Sequence, residues 1–213
     1  MKRMRTHIVA LAATKGGVGK STLSAALAVR ASEESRKVAI LDADTGQNSL
    51  SRWWQLRGSP KNPNLVKVDC TPEGVGLVAS QGYEWLFIDT PPRGIDEISQ
   101  AVSVADFVLV PTRASAFDVE AVDQVVEICN LYNAEYAFVI NAAQPTWTLT
   151  REARAYLSDY GRVLEPLVAY RRAHIAAATL GKTGAEYDKD GKCRAEIEAL
   201  WSAVKMMAMQ GVR

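Results

Sequence analysis

Short apolar runs alternate along the chain with longer segments whose apolar positions recur every three or four residues. This is the pattern of βα units feeding a parallel sheet. The runs Ile8-Val9-Ala10-Leu11 and Phe107-Val108-Leu109-Val110 are apolar without alternation, as strands buried on both faces require. Strands are predicted near His7 to Ala13, Lys37 to Leu41, Leu65 to Asp69, Trp85 to Asp89, Phe107 to Pro111 and Tyr136 to Asn141. Helices fill the gaps, at Lys20 to Ser32, Ser49 to Leu56, Glu73 to Gln81, Glu97 to Val104, Ala116 to Tyr132, Thr150 to Tyr160, Ala173 to Leu180 and Arg194 to Met209. Gly181 to Gly191, rich in Gly, Lys and Asp, reads as an exposed loop before the last helix. The expected fold is a single α/β domain over residues 1–213, with a mostly parallel twisted sheet and helices on both faces.

Composition supports one ordinary core. The 213 residues are 48% apolar and 8% aromatic, enough to fold without disulfide or metal. Cys70, Cys129 and Cys193 are odd in number and far apart, which predicts a reducing, cytoplasmic setting and argues against a zinc site. Basic residues at the amino end precede an apolar run too short for a signal or a membrane span. The formal charge of +1 speaks against constitutive coating of nucleic acid. It is nonetheless the sum of +6 over residues 1–59, −8 over 60–140 and +3 over 141–213.

Candidate chemistry concentrates in Lys15-Gly16-Gly17-Val18-Gly19-Lys20-Ser21-Thr22, between an apolar strand and an Ala-rich helix. Glycines let successive N–H groups converge on an anion, and the helix amino terminus adds its dipole. Lys20 can reach β and γ phosphates, and the Ser21 hydroxyl can hold Mg²⁺. Thr14 stands where the general phosphate-loop pattern has its first glycine, and a second lysine, Lys15, opens the loop. Asp42 and Asp44 follow the second strand and Asp89 ends the fourth. Strand ends of this kind open onto the ligand crevice of open α/β sheets. Asp89 fits a carboxylate that supports Mg²⁺ through water; turn-forming or capping roles are the alternatives for all three.

The loop resembles that of the ParA/MinD family of deviant Walker A ATPases, KGGxGK followed by Ser or Thr. The likeness continues through Tyr83 to Pro92, Ala105 to Thr112 and Ser115 to Asp118, in order and spacing. It implies ATP and Mg²⁺ as cofactors, with Lys15 reaching across an ATP-built homodimer to the partner's phosphates. By the same resemblance Asp42 supports the Mg²⁺ shell, Asp44 orients the attacking water, and Asn141 reads adenine or simply ends its strand. Thr45-Gly46-Gln47-Asn48 departs from the Pro-Gln-Gly-Asn of many relatives.

Family members use slow ATP hydrolysis, triggered by a ParB-like or adaptor partner, to bind and release a surface. The last helix carries Ile197, Leu200, Trp201, Val204 and Ala208 at helical spacing, which reads as a stripe packed on the domain rather than a membrane foot. Arg171 and Arg172 precede a helix, and Lys182, Lys189, Lys192 and Arg194 follow it, interleaved with Glu186, Asp188 and Asp190. Doubled in a dimer, this patch would give salt-dependent, nonspecific DNA binding and nucleoid association, with Arg171 and Arg172 as contacts. The few residues before the first strand leave no room for a helix-turn-helix. The adjacent Trp53 and Trp54 are either partner anchors or partly buried core. The competing readings are a MinD-like membrane-associated ATPase, an iron-sulfur carrier of the same superfamily, and a small-molecule phosphotransferase.

Overall fold

A computed structural model describes residues 5–188 and 191–210. In chain order the elements are β1 (His7–Leu11), α1 (Lys20–Ser32), β2 (Val38–Asp42), α2 (Ser49–Leu56), β3 (Asn64–Leu65), α3 (Pro72–Ser80), β4 (Trp85–Asp89), α4 (Ile95–Val104), β5 (Phe107–Thr112), α5 (Ala116–Glu120), α6 (Asp123–Leu131), β6 (Tyr136–Ala143), α7 (Thr148–Ser158), β7 (Val168–Ala169), α8 (Arg172–Ala178), α9 (Gly184–Tyr187) and α10 (Lys192–Gln210). The strands form one parallel sheet in the order β3-β2-β4-β1-β5-β6-β7.

The sheet divides the core in two. On β1, Ile8 and Ala10 face the layer built by α3, α4, α6 and α7, while Val9 and Leu11 face α1, α2 and α10. This explains the unbroken apolar runs, since each face of a central strand has its own helical cover. Chain connections leave β1 towards β4 and β2 on one side and meet β5 on the other, so the crevice above the carboxyl end of β1 is a topological switch point. The apolar stripe of α10 is buried as expected, from Ile197 through Trp201 to Ala208. Trp201 stacks edge-on against Trp85 of β4, with ring centroids 4.7 Å apart.

Beyond shifts of one or two residues at element ends, four features differ from the pattern-based expectation. The strand predicted over residues 65–69 shortens to Asn64–Leu65, because after the Val66 N–H bonds the Ile40 carbonyl the chain leaves the edge of the sheet. The helix predicted over 116–132 is two helices. The break falls where the Ala121 carbonyl accepts the Thr14 hydroxyl from the phosphate loop, 2.9 Å away. Two-residue β7 was not predicted, being too short to show periodicity. The expected loop over 181–191 contains α9, started by a capping box between Thr183 and Glu186, with Gly181, Thr183 and Gly184 buried. Lys189 and Asp190 of that stretch lie outside the described residues.

Candidate nucleotide site

The loop joining β1 to α1 fills the switch point. Gly17 and Gly19 have positive φ of 77° and 102°, a backbone that turns successive N–H groups inward and that favours glycine. Gly19 is doubly constrained, since a Cβ there would lie 2.0 Å from Asn141 Nδ2. That amide donates to the Val18 carbonyl at 2.7 Å, so Asn141, at the end of β6, braces the loop from behind. Lys20 begins α1 and is buried. Its ammonium donates to the Ala13 carbonyl at 3.0 Å and the Lys15 carbonyl at 3.2 Å, and so lies coiled inside its own loop. Burial lowers its pKa, against the opposing pull of Asp89 and Asp44.

Strand register assembles the carboxylates. Asp42 pairs with Asp89 across β2 and β4, and Asp89 pairs with Leu11 at the root of the loop. Asp42 accepts from the backbone N–H of Ser51 at 2.8 Å and of Asp44 at 3.2 Å, while Asp44 accepts from the Gln47 N–H at 3.0 Å. Two short turns therefore fix both side chains at the start of α2. Asp89 is fully buried, and neither of its oxygens has a hydrogen-bond partner among the described residues. Burial pushes its pKa up to about 7, helped by Asp42 and opposed by the Ser21 hydroxyl and by Lys20. A fully buried carboxylate beside a helix-terminal hydroxyl suits a hydrated divalent cation. Ser21, Asp42 and Asp89 are the residues that would hold Mg²⁺, and the loop from Gly16 to Thr22 would cradle phosphates. The cation would supply neutralisation of phosphate charge.

Lys15 stands apart from Lys20. Its ammonium pairs with Asp118 at 2.8 Å and lies 5.9 Å over the Phe117 ring, both just after β5. Beside the loop a cavity of about 290 Å³ runs from Gly17 and Gly19 past Arg113 and Asn141 to Tyr170 and Ile175. Arg113, Asp118, Tyr170 and His174 belong to this neighbourhood and were not singled out as site residues from the sequence. For Asp118 the signal was present in the segment Ser115 to Asp118; the others come from loops and a short helix with no motif of their own.

A family model described as CobQ/CobB/MinD/ParA nucleotide binding domain matches residues 9–190. The chain belongs to this nucleotide-binding family. It is 26% identical over 199 residues to the Maintenance of carboxysome distribution protein A of Halothiobacillus neapolitanus, covering 87% of this chain and 91% of that one. It is 23% identical over 203 residues to Protein ParA of Rhizobium radiobacter, covering 90% and 91%. The septum site-determining protein MinD of Pyrococcus horikoshii, solved with Mg-ADP, shares the fold at TM-score 0.77 and 17% identity, covering 98% of this chain and 99% of that one.

The ParA/MinD likeness of the fold and loop thus extends across the chain, but the surface candidates separate. The Arg171 guanidinium is paired with Glu196 of α10 through Nε and Nη2 and borders the cavity beside the loop. Arg194 is likewise paired, with Glu33 and Glu198, and Arg57 with Glu186. Arg172, at the first position of α8, and Lys182 are exposed. Trp53 is buried and Trp54 half-buried, with indole N–H groups donating to the Lys182 and Pro63 carbonyls, so both tryptophans belong to the packing of α2. Among the described residues no helix is long and apolar enough to cross a membrane.

Proposed function

We propose that the protein is a ParA-type positioning ATPase. Mg-ATP joins two copies into a sandwich dimer, the dimer binds DNA nonspecifically on the nucleoid, and a ParB-like or adaptor partner stimulates slow hydrolysis that releases it. Lys20 and the loop amides hold the phosphates, Ser21, Asp42 and Asp89 support Mg²⁺, Asp44 orients the attacking water, and Asn141 fixes the loop beside the base. Lys15 exchanges Asp118 for the partner's phosphates. The cargo is a plasmid, a chromosome or a protein body; relatives named for carboxysome distribution and for partition support that class.

The observation that carries the reading is the pairing of two lysines with different placements in one loop. Lys20 is buried among loop carbonyls, while Lys15 is half-exposed and held by the Asp118 carboxylate and the Phe117 ring of α5. A second lysine so placed has little use in a self-contained phosphate site and a clear use in a shared one.

For the surface, DNA contact is assigned to Arg172 and Lys182 and, more weakly, to Arg171 because of its Glu196 pair. Co-sedimentation with nonspecific DNA and with anionic liposomes, each with ATP, ADP or no nucleotide, tests this. Binding to DNA that needs ATP and falls steeply with salt is expected. ATP-dependent binding to liposomes without DNA binding would replace it with the MinD-like membrane reading. For an iron-sulfur carrier, the three cysteines offer little, being buried at separate positions.

A further inference from the structure

One half-buried polar side chain has no role assigned above. His174, in α8, keeps both ring nitrogens buried with no hydrogen-bond partner among the described residues. Such a group costs stability, and folded proteins keep few of them without a use. The ring is a partition between two cavities. One is the 290 Å³ space beside the phosphate loop, bordered near the ring by Thr22, Tyr170 and Ile175. The other, about 130 Å³, is bordered by Ser21, Ser49, Trp53 and Thr183. Gly184 closes on the ring's edge, where a Cβ would fall 2.3 Å from Nδ1.

We propose that His174 is the ribose-binding residue of the nucleotide site, its imidazole turning into the larger cavity to hydrogen-bond a ribose hydroxyl. Position comes first. The glycines and Lys20 take the phosphates at the amino end of α1, so the nucleoside half extends along Thr22 and Asn141 into the cavity that His174 borders. Room comes second, because open space lies on both sides of the ring, in the larger cavity and in the smaller one. Chemistry comes third. Burial lowers the His174 pKa and Arg171 lowers it further, against the pull of Glu196 and Asp188; a neutral ring offers one donor and one acceptor. A hydroxyl also offers one of each, whereas a phosphate oxygen would only accept.

The inference rests on the nucleotide-site reading of that cavity, and the test separates the two. Calorimetric titration with unlabelled Mg-ADP and Mg-2′,3′-dideoxy-ADP is made on the wild type, His174→Phe and His174→Leu, with thermal unfolding of each. The wild type should prefer ADP about tenfold, the worth of one hydrogen bond. Both variants should bind the two nucleotides alike, at the weaker affinity, and His174→Phe should unfold at or above the wild-type midpoint because an unpaired polar group is gone. Variants that bind ADP as the wild type does, or that keep its preference for ADP, overturn the role of His174. A wild type that binds ADP and dideoxy-ADP equally overturns the ribose contact while leaving the nucleotide site standing. A wild type that binds neither removes the nucleotide site and this inference together.

Discussion

Within the site, each charged residue is distinguished by what it touches. Lys20 makes two carbonyl contacts that it can trade for phosphate oxygens. Lys20→Ala should weaken ATP binding about a hundredfold, the worth of about 3 kcal/mol of charge-assisted hydrogen bonding, as read by calorimetry. Lys15 spends its charge on Asp118, with 39% of the lysine side chain and 10% of the carboxylate's exposed, so the pair is a latch screened by water from the lysine side. Asp118→Asn should lower the ATP concentration needed for half-maximal dimerisation by up to about fivefold, the reach of a surface ion pair; an unchanged midpoint in analytical ultracentrifugation would remove the latch. The phosphate loop and its carboxylates were legible in the sequence because glycines, lysines and strand-end aspartates must sit in fixed order along the chain. Asp118 was legible only as part of the segment Ser115 to Asp118, and Arg113 and His174 not at all, because what makes them part of the site is the approach of three separate segments to one loop. Arg171 shows the converse: a basic residue in the sequence whose charge is taken up by Glu196, 25 positions away.

Among the elements, the layer of α1, α2, α8, α9 and α10 carries the interlocks. Gly181 has φ of 64°, and a Cβ there would lie 2.3 Å from the Arg57 nitrogen, so the turn after α8 sits directly on the end of α2. Arg57 secures that contact with two hydrogen bonds to Glu186 and one to the Gly181 carbonyl. Gly181→Ala should cost at least about 1–2 kcal/mol from the left-handed backbone alone, measured by denaturant unfolding. Glu34, at the end of α1, accepts from Lys205 at 2.8 Å and Trp201 at 3.1 Å, which hold its pKa down to about 2. Its folded-state pKa lies below its ordinary value of 4.5. The stabilisation is therefore complete above pH 4.5 and lost as pH falls towards 2. Glu34→Gln should flatten the acid side of the stability curve in that window, by no more than about 1 kcal/mol for a surface pair. Long elements such as α1 and α10 announced themselves by period. The split between α5 and α6 did not, because it depends on a hydrogen bond from Thr14, more than a hundred residues earlier.

For the whole molecule, the proposed function joins charge to dimerisation. The net charge of +1 is spread unevenly along the chain, and folding pairs several of its basic residues with carboxylates on neighbouring helices. On the proposed function, a monomer with Arg172 and Lys182 exposed would bind DNA weakly and two copies held together would bind it better, since each added phosphate contact multiplies affinity and steepens its salt dependence. Everything then turns on whether ATP builds a dimer through Lys15. The direct measurement is the solution mass, by light scattering, of Asp44→Ala and of Asp44→Ala/Lys15→Ala with Mg-ATP, Mg-ADP and no nucleotide. The account predicts twice the monomer mass for Asp44→Ala in Mg-ATP alone and monomer throughout for the double variant. Asp44→Ala that binds ATP and stays monomeric, or a double variant that dimerises equally well, would contradict it.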